Sequence, residues 1–147
     1  MKTLLRIFAS VMLVMLSWSA FGAGAASAND PVKVVYHFDA GLEQATKGLR
    51  NIKNHLDVDP KAKIVVVAHA QGVNFLLEGA QNATGNPFNI PVEELEARGV
   101  EFRVCEITLK ANKIDPKKLL PQTKLVPSGV VEVARLQAKE GFVYIKP

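Results

Sequence analysis

Residues 32–38 (VKVVYHF) are dominated by β-branched and aromatic side chains, and Pro31 precedes them where a missing N–H costs least, which predicts a strand. Asp39, Ala40 and Gly41 break the run. Leu42, Ala45, Leu49, Ile52 and Leu56 then recur at spacings of three and four, the mark of an amphipathic helix ending near Asp57. Asp59-Pro60 is a turn. Residues 64–68 (IVVVA) form an unbroken apolar run, as in a strand covered on both faces. After His69 and Gly72, residues 73–80 predict a short helix, and residues 82–91, with paired turn signals and two prolines, an irregular and least ordered stretch.

A helix starting at Pro91 has proline in its first turn and Glu93 and Glu94 near its N-terminus, both favourable there. Gly99 ends it, and residues 100–105 (VEFRVC) read as the third strand. Residues 107–120 predict helical pieces interrupted at Asp115-Pro116, and residues 124–126 a short strand. Ser128 is a good N-cap for a helix over 130–139. Gly141 ends that helix, and residues 142–145 give a last strand. Five strands alternating with helices predict an α/β domain over residues 29–147, with a mostly parallel five-stranded sheet and helices on both faces.

In such sheets, ligands bind beyond the carboxyl ends of the strands. That rule selects His37-Phe38-Asp39, His69-Ala70-Gln71-Gly72, Cys105-Glu106 and Pro127-Ser128-Gly129. The polar and reactive residues of the chain therefore gather at one edge.

The segment ahead of the first strand changes the setting. Lys2 and Arg6 precede an apolar stretch over 7–16, and Ala26-Ser27-Ala28 supplies a small-residue cleavage pattern before Asn29. The expectation is a signal peptide over residues 1–28, a periplasmic mature protein and no stable membrane span after cleavage. Lys2 and Arg6 are two of the 18 basic side chains, which stand against 14 acidic ones, so the remainder is close to neutral. With no basic stripe interleaved with aromatics, nucleic acid is not an expected partner.

Export sharpens the meaning of Cys105, the only cysteine in the chain. Exported proteins use cysteines in pairs, so a leftover thiol is an intermolecular disulfide, a buried inert side chain or a reactive sulfur. A reactive thiol needs its pKa lowered. His69 and backbone N–H groups after Cys105 are the candidate agents, and Glu106 would oppose them if it faced the sulfur. Asp39, Gln71, Gly72, Ser128 and Gly129 are candidates for holding a small anion such as sulfite or thiosulfate, with Ser128 and Gly129 at a helix start. Asp39 and Ser128 also read as simple helix caps. His37 reads as a core or interface residue and His55 as a surface one.

Other chemistries fit poorly. There is no Walker loop, no G-x-G-x-x-G and no G-x-S-x-G serine. His37, His69 and Cys105 lack the short ligand spacing of a zinc site, so neither a metal nor another cofactor is expected.

The segments VVYHFD, VVVAHAQGVNFLL, GVEFRVCEITL and VPSGVVEVARLQAKEGFVYIKP, which span most of residues 32–147, resemble the DsrE/DsrF-like family. This family includes sulfur-relay subunits, and the chain is most similar to its YchN-like, exported single-domain members. The resemblance implies a flavodoxin-like sheet, a homo-oligomer (trimer or hexamer), and a cysteine that carries sulfane sulfur as a persulfide, at the position of Cys105. It also implies a sulfur donor or acceptor protein as a partner. Tyr36, Phe38, Pro87, Phe88 and Ile90 independently suggest assembly, as apolar groups hard to bury in a small monomer. The competing expectation is a non-catalytic oligomeric protein that binds a small ligand or a partner at the same edge.

Overall fold

The apolar runs become strands and the three-and-four spacings become helices in the computed structural model, which describes residues 30–147. The expected leader and its cleavage after Ala28 lie outside the described residues. In chain order the elements are β1 (Lys33–Phe38), α1 (Leu42–Val58), β2 (Lys63–Ala68), a 3-10 segment (Ala70–Leu76), α2 (Asn89–Ala97) and β3 (Glu101–Cys105). They continue with α3 (Glu106–Ala111), a 3-10 turn (Pro116–Lys118), β4 (Thr123–Val126), α4 (Gly129–Glu140) and β5 (Val143–Ile145). No helix among the described residues is long and apolar enough to cross a membrane.

Among the described residues, neighbouring strands of the sheet pair parallel throughout, in the order β4-β3-β2-β1-β5. The chain steps one way from β1 to β4, and α4 then carries it back to set β5 on the far side of β1. Right-handed crossovers in opposite directions put the intervening helices on opposite faces. The first face buries Val34, Tyr36, Phe38, Ile64, Val66, Phe102 and Val104 of the sheet against Leu49, Ile52, Phe75, Val92, Leu95 and Leu109. Among the described residues the second lies under α4 alone, with a small cluster of Val35, Val65, Val67, Val133, Leu136 and Phe142.

Beside that cluster the second face is polar. Arg103 on β3 pairs with Glu132 of α4 and, at 3.0 Å, with Glu101. Arg135 closes on the same Glu132 carboxylate with Nε and a terminal nitrogen, at 2.9 and 2.8 Å. Arg135 holds the Glu132 carboxyl far below its ordinary range, at about 2, with Arg103 helping and burial opposing.

Three expectations are corrected. The short helix expected over 73–80 is instead the 3-10 segment Ala70–Leu76, which starts three residues earlier and ends at Leu76, with Gly72 packed against β1. A Cβ there would lie 2.2 Å from the Phe38 carbonyl oxygen. Tyr36, Phe38 and Phe88 are not hard to bury, since all three lie in the first core, where Phe75 meets the rings of Phe38 and Phe88; Ile90 does stay exposed. His55 is not a free surface residue, since its Nδ1 lies 3.0 Å from the hydroxyl of buried Tyr36. Within the stretch over 82–91, residues 82–86 form a hydrogen-bonded turn in which Asn82 Oδ1 accepts from the amides of Thr84 and Asn86, and α2 begins at Asn89.

Candidate functional site

Cys105 is the last residue of β3, directly ahead of α3, and its side chain lies on the α4 face of the sheet, in register with Val126. It is free and only 5% exposed. Burial by itself would push its thiol up. Hydrogen bonds to the sulfur from the amides of Gly129, Thr108 and Ile107 and from the Thr108 hydroxyl outweigh that and hold the thiol below its ordinary value. The Thr108 hydroxyl is oriented by a second contact. Its Oγ1 accepts from the amide of Ala70 at 3.0 Å, leaving its proton for the sulfur. Ala70 has φ +48°, a strained region for a residue with a Cβ. The strain lies in the turn between His69 and Gly72. Glu106 is drawn along its own helix to Lys110, at 3.3 Å.

Gly129, at the start of α4, sits against both His69 and Cys105. A Cβ at 129 would come within 3.0 Å of the His69 Cβ and 3.2 Å of the Cys105 Cβ. Glycine lets the helix start approach close enough for its amide to reach the sulfur. Ser128 caps α4, its hydroxyl oxygen accepting from the Val131 amide at 3.5 Å. Of the candidate anion-holding groups, the Gly129 amide is thus turned to the thiol and Ser128 to its own helix. Gly72 packs on the β1 backbone, and Gln71 is exposed.

A second group of side chains lies at the same edge. His37 and His69 meet Nε2 to Nε2 at 2.6 Å, and the Tyr144 hydroxyl lies 2.8 Å from the other ring nitrogen of His37. The ligand atoms of His37, His69 and Asp39 all fall within 4.8 Å of one another. Asp39 does not cap α1, whose N-cap is Gly41. Its carboxylate pairs with Lys146 at 2.7 Å, and its amide, with that of Ala40, donates to Gln44 Oε1. The Lys146 ammonium holds the Asp39 carboxyl below its ordinary range, against partial burial. Burial first, then the neighbouring His69, push His37 below the ordinary imidazole value. Asp39 opposes them and Lys146 adds to them. His69 turns its Nε2 to His37, and the groups that lower the Cys105 thiol are amides and a hydroxyl.

Sequence reasoning passed over Thr108, Tyr144 and Lys146, and it read His37, though at the selected edge, as a core or interface residue. The signal for His37 was present: it lies two residues before the break after β1, and His69 directly follows β2, so two histidines at the ends of paired parallel strands share an edge. Tyr144 and Lys146 depended on β5 pairing with β1, which no local pattern announces.

The fold and this edge define a small parallel α/β protein with one sheltered, hydrogen-bonded thiol after its third strand. The DsrE/DsrF-like family model matches residues 20–147, and the chain belongs to that family. Among solved structures it is similar to MTH1491 of Methanobacterium thermoautotrophicum, described as a protein of unknown function, at 33% identity and a TM-score of 0.70, covering 79% of this chain and 99% of that one. It is also similar in fold to the ychN protein of E. coli, at 16% identity and a TM-score of 0.67, with the same coverage of 79% and 99%. A search of curated proteins finds no match.

Proposed function

We propose that the protein handles sulfane sulfur, with Cys105 as the carrier. The observation that carries this reading is the set of N–H and O–H donors around the Cys105 sulfur, which favour its thiolate despite burial. The thiolate is the species that attacks sulfur donors. With thiosulfate, the Cys105 sulfur bonds to the outer sulfur, the donor's S–S bond breaks, and sulfite leaves with the bonding electron pair. Cys105 is left as a persulfide anion. An acceptor thiolate then attacks the outer sulfur and returns Cys105 to its thiolate, so no oxidant or reductant is consumed. Family membership supports a sulfur-related role.

The mature chain, beginning at residue 29, is proposed to act in the periplasm, where a sheltered thiol resists the stepwise oxidation that claims exposed ones. It is also proposed to form a homo-oligomer, a trimer or hexamer. Supporting this, Val130 and Val131 on α4, Ile107 on α3 and Leu125 on β4 are exposed apolar residues at the C-terminal edge of the sheet. Light scattering at micromolar concentrations should show more than a monomer.

The test of the sulfur reading is intact mass after incubation with thiosulfate or polysulfide. One added sulfur on the wild type and none on Cys105→Ser is expected. A folded wild type that stays unmodified and does not react with alkylating reagents would refute it.

A further inference from the structure

His37 and His69 direct two imidazole nitrogens at each other across 2.6 Å, with a carboxylate within 4.8 Å of both. We propose that His37 Nε2, His69 Nε2 and an Asp39 carboxylate oxygen form a binding site for a divalent transition metal of the zinc class, separate from the Cys105 sulfur. Two imidazoles and one carboxylate are a donor set that zinc accepts, leaving a fourth position for water or a ligand. Two nitrogens on one tetrahedral zinc stand about 3.3 Å apart at the usual zinc–nitrogen length. The pair therefore has to open by a fraction of an ångström, and half-buried side chains at the end of strands can do so.

The supporting contacts are those of a built site. The Tyr144 hydroxyl, 2.8 Å from His37 Nδ1, fixes which nitrogen of that ring faces inward, as outer partners of ligating histidines do. Gln44 pins the backbone at Asp39 and Ala40. The Lys146 ammonium already sits on the Asp39 carboxylate at 2.7 Å. Lys146 is the cation that the metal would displace there and, about half exposed, it is free to swing into solvent as the metal arrives. The sheet register does what sequence spacing does not: it brings residues 37 and 69 together from adjacent strand ends.

The test uses untagged protein stripped with a chelator and titrated with zinc ion alone, read by calorimetry or by competition with a chromophoric chelator. Saturable binding of one zinc per chain is expected. His37→Gln and His69→Gln should each weaken it at least about a hundredfold, and Asp39→Asn about tenfold. Lys146→Met should tighten it a few-fold by removing the competing cation. Cys105→Ser should leave it unchanged while abolishing the sulfur adduct, so the two readings fail independently.

Histidine acylation of the wild type, mapped by peptide mass, asks the same question without a variant. Zinc should shield His37 and His69 and leave His55 as reactive as before. Absence of saturable binding, binding retained in the His37→Gln/His69→Gln double variant, binding lost in Cys105→Ser, or no shielding would each overturn the proposal.

Discussion

The two faces of the sheet are built to different specifications. The first is covered by α1, α2, α3 and the 3-10 segment and is apolar almost throughout, with Phe75 touching the rings of Phe38, Phe88 and Phe102. Among the described residues the second has one helix, a six-residue apolar cluster, and then charge: Arg103, Glu132 and Arg135 to one side, His37 and Tyr144 toward the C-terminal edge. Polar groups there are held by partners rather than excluded. One face thus stores most of the stability, and the other can carry reactive side chains because α4 both fastens to the sheet and delivers an amide to Cys105.

The sharpest way to break that contrast is to cut into each cluster. Phe75→Ala should cost about 3–5 kcal/mol in urea unfolding, as a fully buried ring does when truncated. Leu136→Ala should cost about 2–4 kcal/mol, less than Phe75→Ala. If the second substitution costs as much as the first, the asymmetry between the faces does not hold.

Next comes the ionic fastening of α4. Glu132→Gln should lose about 2–3 kcal/mol at neutral pH, since it leaves Arg103 partly buried and short of a counter-charge. The folded-state value near 2 lies below the ordinary 4.5. The carboxylate's contribution is therefore complete above about pH 4.5 and is lost as pH falls toward 2. Urea midpoints measured across that window should fall for the wild type and fall less for the variant.

Two smaller effects separate stability from reactivity. Gly129→Ala sets a methyl group against the Cβ atoms of His69 and Cys105. It should cost about 1 kcal/mol and slow the reaction of Cys105 with small alkylating reagents as the amide is pushed back. Thr108→Val keeps the volume but removes the hydroxyl that faces both the sulfur and the Ala70 amide. The pH midpoint for alkylation of Cys105 should move upward, with little change in melting temperature beyond that due to the unpaired Ala70 amide.

Much of the fold was legible because it is written locally. The run IVVVA, the spacing from Leu42 to Leu56, Ser128 ahead of α4 and Gly141 after it each carry their own structural instruction, and Gly141 does adopt φ +73°. The bounds of the 3-10 segment were not legible, since they answer to the Phe38 carbonyl, far upstream in the chain, rather than to local composition. Burial of Tyr36 and Phe38 was misjudged for a related reason: a strand covered by α1 and the 3-10 segment has room that residue counting does not reveal. At the site, Cys105 stood out by rarity. The donors around it did not, because most are backbone groups without side-chain identity and Thr108 is an ordinary helix residue. The meeting of His37 with His69 required strand order and register, which hydrophobic pattern leaves open.

β5 has only three residues, and it pairs with Val34, Val35 and Tyr36 of β1. Without it, β1 would be the rim of the sheet, an apolar β-branched and aromatic ribbon with free N–H and C=O groups, the type of surface that recruits other chains into runaway pairing. β5 therefore serves as a guard against aggregation as well as the carrier of Tyr144 and the lead-in to Lys146. Substitutions that loosen Val143 or Ile145 are expected to appear first as lost solubility, before any loss of the chemistry at the edge.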